Sequence, residues 1–466
     1  MPSEARFDVG PIVREGAYHI TDGYALRDEL DAKIHAAFLD GIERLESVAC
    51  RQAVARDGLR NIHQHFPVEK VGLLEDFILK TLRDELYYWT YRVGAENLGL
   101  KHPFYVDHLI VIRIHYPFAV ARKGGETLQP PLDLVDRLRI AVAGLRNPEI
   151  LINQATRAIR KRQKVREHKL AFDPVAYHGE IPTPARAHGP HIDTWYGHSY
   201  DGINLWLSID GVEEDNTVIL YPEMFGRPVD YDRASMYLAP GFPLPAPTKL
   251  KMQPKDLLLF NPEMLHGTQV NISELTRVAL TTRLNPGQPR FNDDAPFNME
   301  HWFSSEDLEH RRFGAIKLFA ANKYQGEPSL ESSIPPIESH TRHITLDQAL
   351  ERDGSGVLCR GEDLVAGEKL AVDAPNMKLL LVRTPVGVKA FERRCPHRAV
   401  DIIDGHHTAT EIFCPGHGVA FSLTTGASKC AAFRLLERKV VERDGQIFLE
   451  PTARSGKAKA QTATVS

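Results

Sequence analysis

Cysteine is scarce in this chain: five in 466 residues, at positions 50, 359, 395, 414 and 430. So few exclude a disulfide scaffold, and point any cysteine pattern toward metal chemistry in a reducing compartment. Positive charge is not in excess either. The formal net charge is -4, so no global field argues for nucleic acid as a partner. There is no run of about 18 apolar residues, so no membrane span is expected. The opening MPSEARFDVG lacks the apolar core of a secretory signal, and the expectation is a cytoplasmic protein. What is there is the mix of a globular protein, 42% hydrophobic and 25% charged, at a length that predicts two to three domains.

The first hundred residues read as helix. Leu26, Leu30, Ile34, Phe38 and Ile42 recur every four residues within 24–48, and a second helical pattern covers 71–98. HLIVIRIHY (108–116) alternates and is β-branched, a strand. Residues 131–170 return to helix and include the basic run RAIRKRQKVREHK (157–169), read as a solvated face or the inner side of a lid. From about 185 to 290 short strands take over: INLWLSI, TVILYP, KDLLLFNP and RVALTTRLN, the spacing of a sandwich or barrel. The aperiodic QGEPSLESSIPPIES lies in a linker at 325–340, and 453–466 is read as a disordered tail.

Cys395-Pro396-His397 and Cys414-Pro415-Gly416-His417 each follow a strand pattern. Two thiolates and two imidazoles are the ligand set of a Rieske cluster, in which two His replace two Cys on one iron. A structural Cys₂His₂ zinc site is the rival reading. Residues 341–452, through KAFERRCPHRA, CPGHGVAFSLTTG and GQIFLE, resemble Rieske ferredoxin domains. The resemblance implies a small all-β domain with a 2Fe–2S cluster, Cys395 and Cys414 on one iron and His397 and His417 on the other. Cys359 and Cys430 read as buried small hydrophobes, and His406 and His407 as exposed loop residues.

A second constellation spans HGPHIDTWYG (188–197) and NPEMLHGTQVNISELTR (261–277). His191 and Asp193, two apart, would share a face on a strand, and His266 follows. Two His and one carboxylate form the facial triad of non-haem iron(II) oxygenases, which leaves positions open for cosubstrate and dioxygen. H-x-D alone is a weak motif, and a capping pair with a core histidine is the bland alternative. Arg277, with Thr268 in reach of the same region, is a grip for a carboxylate. Arg277, Thr281 and Arg283 share one face by the period of two. Arg113 and His115 do the same on their strand and are candidates for substrate contact. His188 and His198 flank the motif without matching spacing, and are placed beside the metal or at the surface.

This pattern, over roughly residues 100–290, resembles the phytanoyl-CoA dioxygenase-like branch of the iron(II)/2-oxoglutarate oxygenases, and the expected catalytic domain, with the N-terminal helices, spans 1–324. That implies a double-stranded β-helix (jelly roll) with flanking helices. It implies Fe(II) on His191, Asp193 and His266, and 2-oxoglutarate on Arg277 and Thr268. Trp206 would lie beside the cosubstrate, and Asn204 would touch cosubstrate or substrate. The family often has Pro-Gly-Ser-His where this chain has EEDNTVILYPEMFG, a departure that touches no metal ligand. The intact Asp193 favours hydroxylation or desaturation over halogenation, which needs that position free. The substrate is a small molecule attacked with O₂.

Such a cycle needs no external electron, so the cluster requires a role. It maintains the iron after uncoupled turnover, or it drives catalysis as in Rieske oxygenases, with Arg277 serving substrate instead. In those enzymes the cluster precedes the catalytic domain, the reverse of the order here. Both roles imply an external ferredoxin or NAD(P)H-dependent reductase. The third alternative is a redox carrier or sensor. The N-terminal helices are a possible homo-oligomer interface.

Overall fold

In a computed structural model, residues 7–121, 187–232, 237–239, 241–291, 301–319, 335, 337, 341–351, 355–397 and 400–451 are described. The helix expected at 131–170 with its basic run, most of the segment read as a linker at 325–340, and the tail at 453–466 lie outside them. The chain divides into two compact units, one of Met1–Glu338 with Pro415–Val419 and one of Ser339–Cys414 with Ala420–Ser466. No helix among the described residues is long and apolar enough to cross a membrane.

In the first unit the four-residue apolar spacing forms a helix at Arg27–Leu45, which buries Leu30, Ile34, Phe38 and Ile42. Leu26, the first member of the stripe, is excluded from the helix by its left-handed backbone, φ 60°. The second pattern is a helix at Val71–Arg92, continued by one wider turn at Val93–Asn97. The two helices pack on one another. The strands are β1 (Tyr18–Thr21), β2 (Tyr105–Asp107), β3 (Val111–His115), β4 (Ile203–Ser208), β5 (Val218–Leu220), β6 (Tyr231–Asp232), β7 (Tyr237–Leu238), β8 (Thr248–Lys249), β9 (Leu257–Phe260), β10 (His266–Thr268), β11 (Arg277–Asn285), β12 (His301–Ser304) and β13 (Ile316–Leu318).

β1-β9-β4-β11-β2-β12-β13 form one sheet, with β3 also on β11, and β10-β5-β8 form a second. Every pairing in both is antiparallel. Trp206, Leu258, Phe260 and Ala279 of the larger sheet pack with Val218 and Leu220 of the smaller in one buried cluster. The first unit is therefore a mixed helix and sheet structure, mostly β, with its core between two antiparallel sheets.

Strand β11 is central. Val278, Leu280, Thr282 and Leu284 are buried on one face, and Arg277, Ala279, Thr281 and Arg283 lie on the other by the period of two. β3 is fixed from the helix side as well, because Ile114 N–H donates to Glu75 Oε1 at 2.8 Å. Burial pushes the Glu75 carboxyl up to about 7, against the pull of Arg113 and of that N–H. Below its ordinary value of about 4.5 both folded and unfolded chains hold the proton. As pH rises toward 7 only the unfolded chain releases it, so stability that is full below 4.5 is lost through that window. Glu75→Gln keeps the acceptor oxygen. It is expected to raise the melting temperature at pH 8 and leave it unchanged at pH 4.5; equal shifts at both would contradict the assignment.

The second unit is all β apart from short turns of 3₁₀ helix. Arg342–Thr345, Lys369–Ala374, Met377–Thr384, Gly387–Glu392 and Glu437–Arg438 form one sheet in that order, parallel only at the first pair. Gly356–Arg360, Gln446–Leu449 and Val440–Arg443 form another. Leu358, Leu370, Leu379, Leu381, Ala390 and Ile447 fill the core between them.

Candidate functional site

His191 and Asp193 do not lie on a strand, as the spacing suggested. His191 makes a single antiparallel bridge to His266, and Asp193 opens a 3₁₀ turn, Asp193–Tyr196. The chain turns here because Asp193 N–H is taken by Pro262 O at 3.0 Å, while His191 and His266 exchange both backbone bonds, 2.8 and 3.0 Å. Three side chains converge all the same. His191 Nε2 is 3.6 Å and His266 Nε2 3.7 Å from Asp193 Oδ1. One ligand atom from each of the three residues lies within 4.8 Å of the others, a grouping that could hold a metal ion.

The remaining atoms of the triad are fixed in the way a metal site needs. His191 Nδ1 is 2.7 Å from Gly189 O, and His266 Nδ1 is 2.8 Å from Met264 O. Each Nδ1 therefore carries the proton, and each Nε2 presents its lone pair. Burial, with His191 beside it, pulls His266 down to about 4, so its ring is neutral at physiological pH. Burial alone would raise the Asp193 carboxyl; the Arg283 guanidinium, with His198 and His266, reverses that and holds it well below the usual carboxylate range.

The second oxygen of Asp193 is clamped. Asn204 Nδ2 donates to Oδ2 at 2.9 Å, and Arg283 Nη2 and Nε donate to it at 3.0 and 3.3 Å. Asn204, expected to touch cosubstrate or substrate, lines the cavity and gives its Nδ2 to the buried carboxylate, while its Oδ1 is buried without a hydrogen-bond partner. Arg283 acquires a role that the sequence reading left open; its signal was the shared face with Arg277 and Thr281. Asn204→Ala is expected to loosen this oxygen and weaken iron(II) binding about 10- to 100-fold, measured by titration under anaerobic conditions.

The triad opens into a cavity of about 260 Å³, lined also by Arg113, His115, Trp206, Thr268, Arg277 and Thr281. Arg277 is 3% exposed. Its Nη1 donates to Asn216 O (2.8 Å) and Thr217 O (3.1 Å), and its Nη2 to His115 Nδ1 (2.7 Å). Nε is buried without a protein partner. Of five N–H groups, two remain, the number a bidentate carboxylate takes. Leaving a buried donor unmet costs about 1–3 kcal/mol, which a carboxylate ligand would remove. Burial lowers the Arg277 pKa, yet a guanidinium this basic stays charged at neutral pH.

His188 and His198 also line the cavity. His198 is buried, not superficial, with Nδ1 3.7 Å from Asp107 Oδ2. Tyr196 meets the His191 ring edge-on at 5.2 Å.

In the second unit Cys395 and His397 follow the strand Gly387–Glu392, in a loop closed by Cys395 N–H to Val400 O (2.8 Å) and by the bridge Arg394–Asp401. Buried Arg393 reinforces it, donating to Asp401 Oδ1 and Asp373 Oδ1, each at 2.9 Å. Cys414 and His417 lie in the turn of a hairpin that pairs Glu411–Phe413 with Ala420–Ser422. Gly405 is required beside it, since a Cβ there would come within 1.8 Å of Phe413 O, next to Cys414. Cys395, Cys414 and His417 are buried, and His397 is half-buried with Phe433 edge-on at 5.3 Å. Buried thiolates and imidazoles on tight loops suit a 2Fe–2S cluster. Cys359 and Cys430 are buried. His406 and His407 are half-buried, not exposed, and His407 Nε2 lies 3.2 Å from Gly367 O.

Comparison with known proteins bears on this second region. Residues 355–436 match the family described as Rieske [2Fe-2S] domain. The ferredoxin component of the alkene monooxygenase system of Xanthobacter autotrophicus is 29% identical over 105 residues, 22% of this chain and 86% of that protein. Among solved structures, the Sphingomonas yanoikuyae B1 ferredoxin is 27% identical, covering 21% of this chain and 99% of its own, with a TM-score of 0.20. Dicamba monooxygenase bound to dicamba is 28% identical, covering 22% of this chain and 33% of its own, also with a TM-score of 0.20. The C-terminal part of this chain, residues 355–436, is a Rieske 2Fe–2S domain.

Proposed function

We propose that the chain is an iron(II), 2-oxoglutarate-dependent oxygenase with a jelly-roll catalytic unit, hydroxylating or desaturating a C–H bond of a small molecule. In this reading the Rieske cluster supplies electrons that maintain or drive the iron. One observation carries the reading: the convergence of His191 Nε2, His266 Nε2 and Asp193 Oδ1 on one point of a cavity that Arg277 also lines. Iron, when bound, supplies the activation of dioxygen. For hydroxylation the balance is substrate C–H, O₂ and 2-oxoglutarate giving the alcohol, succinate and CO₂, one oxygen atom to each organic product.

The protein's part is binding and orientation. His191 and His266 present fixed lone pairs. Asp193 presents one oxygen while Asn204 and Arg283 hold the other. Arg277, braced by two backbone carbonyls and His115, offers its remaining donors to the far carboxylate of 2-oxoglutarate, with Thr268 and Trp206 on the same cavity wall. The electron donor in this reading is an external ferredoxin or NAD(P)H-dependent reductase. The protein is read as cytoplasmic.

A second reading has one observation in its favour. Three of the five Arg277 N–H groups already have protein acceptors. Arg277 would then be a brace, and the iron would be driven by electrons from the cluster without 2-oxoglutarate. Anaerobically purified protein given iron(II), O₂ and 2-oxoglutarate separates the two. Succinate formed in step with O₂ uptake is the expected result. O₂ uptake that needs NAD(P)H and a reductase, with no succinate, would establish the second reading in its place.

A further inference from the structure

Three arginines line the cavity, and two of them are committed inside the protein. Arg283 holds Asp193, and Arg277 is braced by Asn216, Thr217 and His115. Arg113 differs. On β3, Val111, Arg113 and His115 face the cavity while Ile112 and Ile114 are buried behind them. The register sets Arg113 opposite Ala279, one cavity-facing step from the His115–Arg277 pair. Arg113 is exposed where Arg277 is buried, so it stands at the open end of the cavity. Its side chain makes no hydrogen bond or salt bridge to another described residue. The acid that feels its charge, Glu75, is bonded to Ile114 N–H.

Charge counting gives this arginine a purpose. Among the described cavity residues three guanidiniums face one carboxylate, Asp193, which is itself turned to the metal position and to Arg283. A divalent ion adds two positive charges, and a dicarboxylate cosubstrate removes two. The lining remains positive, and that charge attracts an anion toward the cavity mouth where Arg113 is exposed. Leu109, Val111, Leu205, Val218 and Phe260 supply apolar wall. The volume of about 260 Å³ lies below the roughly 300–1,000 Å³ usual for drug-sized ligands, so a substrate sharing it with a cosubstrate is small.

We propose that the molecule oxidised is a small carboxylate, its acid group held at the cavity mouth by Arg113 and its hydrocarbon part directed inward along the apolar wall. A carboxylate fits better than a phosphate ester because a single guanidinium brings one unit of charge, which matches a monoanion and not a dianion. The proposal rests on the 2-oxoglutarate reading above and adds the substrate class and the residue that selects it.

The test is calorimetry on the full chain, anaerobic, with iron(II) and saturating 2-oxoglutarate. The probes are hexanoate with hexanamide, phenylacetate with phenylacetamide, and phenyl phosphate. The proteins are wild type, Arg113→Ala and Arg113→Lys. The acids are expected to bind about tenfold or more tighter than their amides, the value of a charge-assisted pair. Arg113→Ala should abolish that preference and Arg113→Lys restore part of it, with 2-oxoglutarate affinity the same in all three. Acids no tighter than amides, or a preference that survives in Arg113→Ala, would overturn the proposal. Loss of 2-oxoglutarate binding in Arg113→Ala would also overturn it, by moving Arg113 into the cosubstrate grip. Tighter binding of phenyl phosphate through Arg113 would replace the carboxylate. Failure of wild type to bind 2-oxoglutarate at all would instead refute the underlying function, a separate and earlier result.

Discussion

His266→Ala is expected to abolish iron(II) retention and turnover while leaving the fold and the Rieske spectrum in place. The three ligand atoms are held independently: His266 by Met264 O, His191 by Gly189 O, and Asp193 by Asn204 and Arg283. Removing one imidazole leaves two ligands already in position and takes away the third. If about 10–16 kcal/mol of metal binding is shared by four ligands, as in structural zinc sites, one ligand accounts for roughly 3 kcal/mol, close to a hundredfold in affinity. The backbone exchange between His191 and His266 does not depend on the side chain, so the local chain path should persist. Iron content by metal analysis and cluster content by visible absorption check both halves. A variant that keeps stoichiometric mononuclear iron would contradict the triad.

His397→Ala separates the two roles open to the cluster. Loss of one imidazole ligand should remove the characteristic Rieske absorption, because two His on one iron define that cluster type. If the cluster only maintains the iron, the first turnovers should proceed at the wild-type rate and then decay sooner, as oxidised iron accumulates without rescue. If it drives each cycle, initial turnover falls to background. Initial rates and total turnovers, with and without a small-molecule reductant, distinguish these. Reductant should prolong activity in the first case, and an unchanged time course in the variant would show that the cluster serves neither.

How much of this was legible in the sequence depended on whether local pattern or tertiary contact decided the outcome. Arg277–Asn285 was written plainly, since its alternation of buried and cavity-facing residues needs only the period of two. So were Met377–Thr384 and the two metal-ligand pairs of the Rieske loops. The path at His191 and Asp193 was not. A strand and a bridge followed by a 3₁₀ turn both present H-x-D side chains together, and the choice was made by Pro262 O and the His266 backbone, far away in sequence. For the same reason the second task of Asn204 was not legible: only the fold shows that the carboxylate its Nδ2 meets is buried, and a buried carboxylate claims the nearest donors. Leu26 fell off its helix because of a left-handed backbone that spacing does not report. His198 lacked any periodic relation to the triad, and its burial against Asp107 comes from strand packing.

The account turns on 2-oxoglutarate meeting iron held by His191, Asp193 and His266. The most direct measurement is anaerobic titration of the iron(II) protein with 2-oxoglutarate, followed by the weak visible charge-transfer band of the chelate. The band should appear in wild type, and the midpoint should rise at least about 30-fold in Arg277→Ala, the loss of a buried charge pair of about 2 kcal/mol or more. Iron(II) bound to the triad with no band in wild type at any 2-oxoglutarate concentration would contradict it.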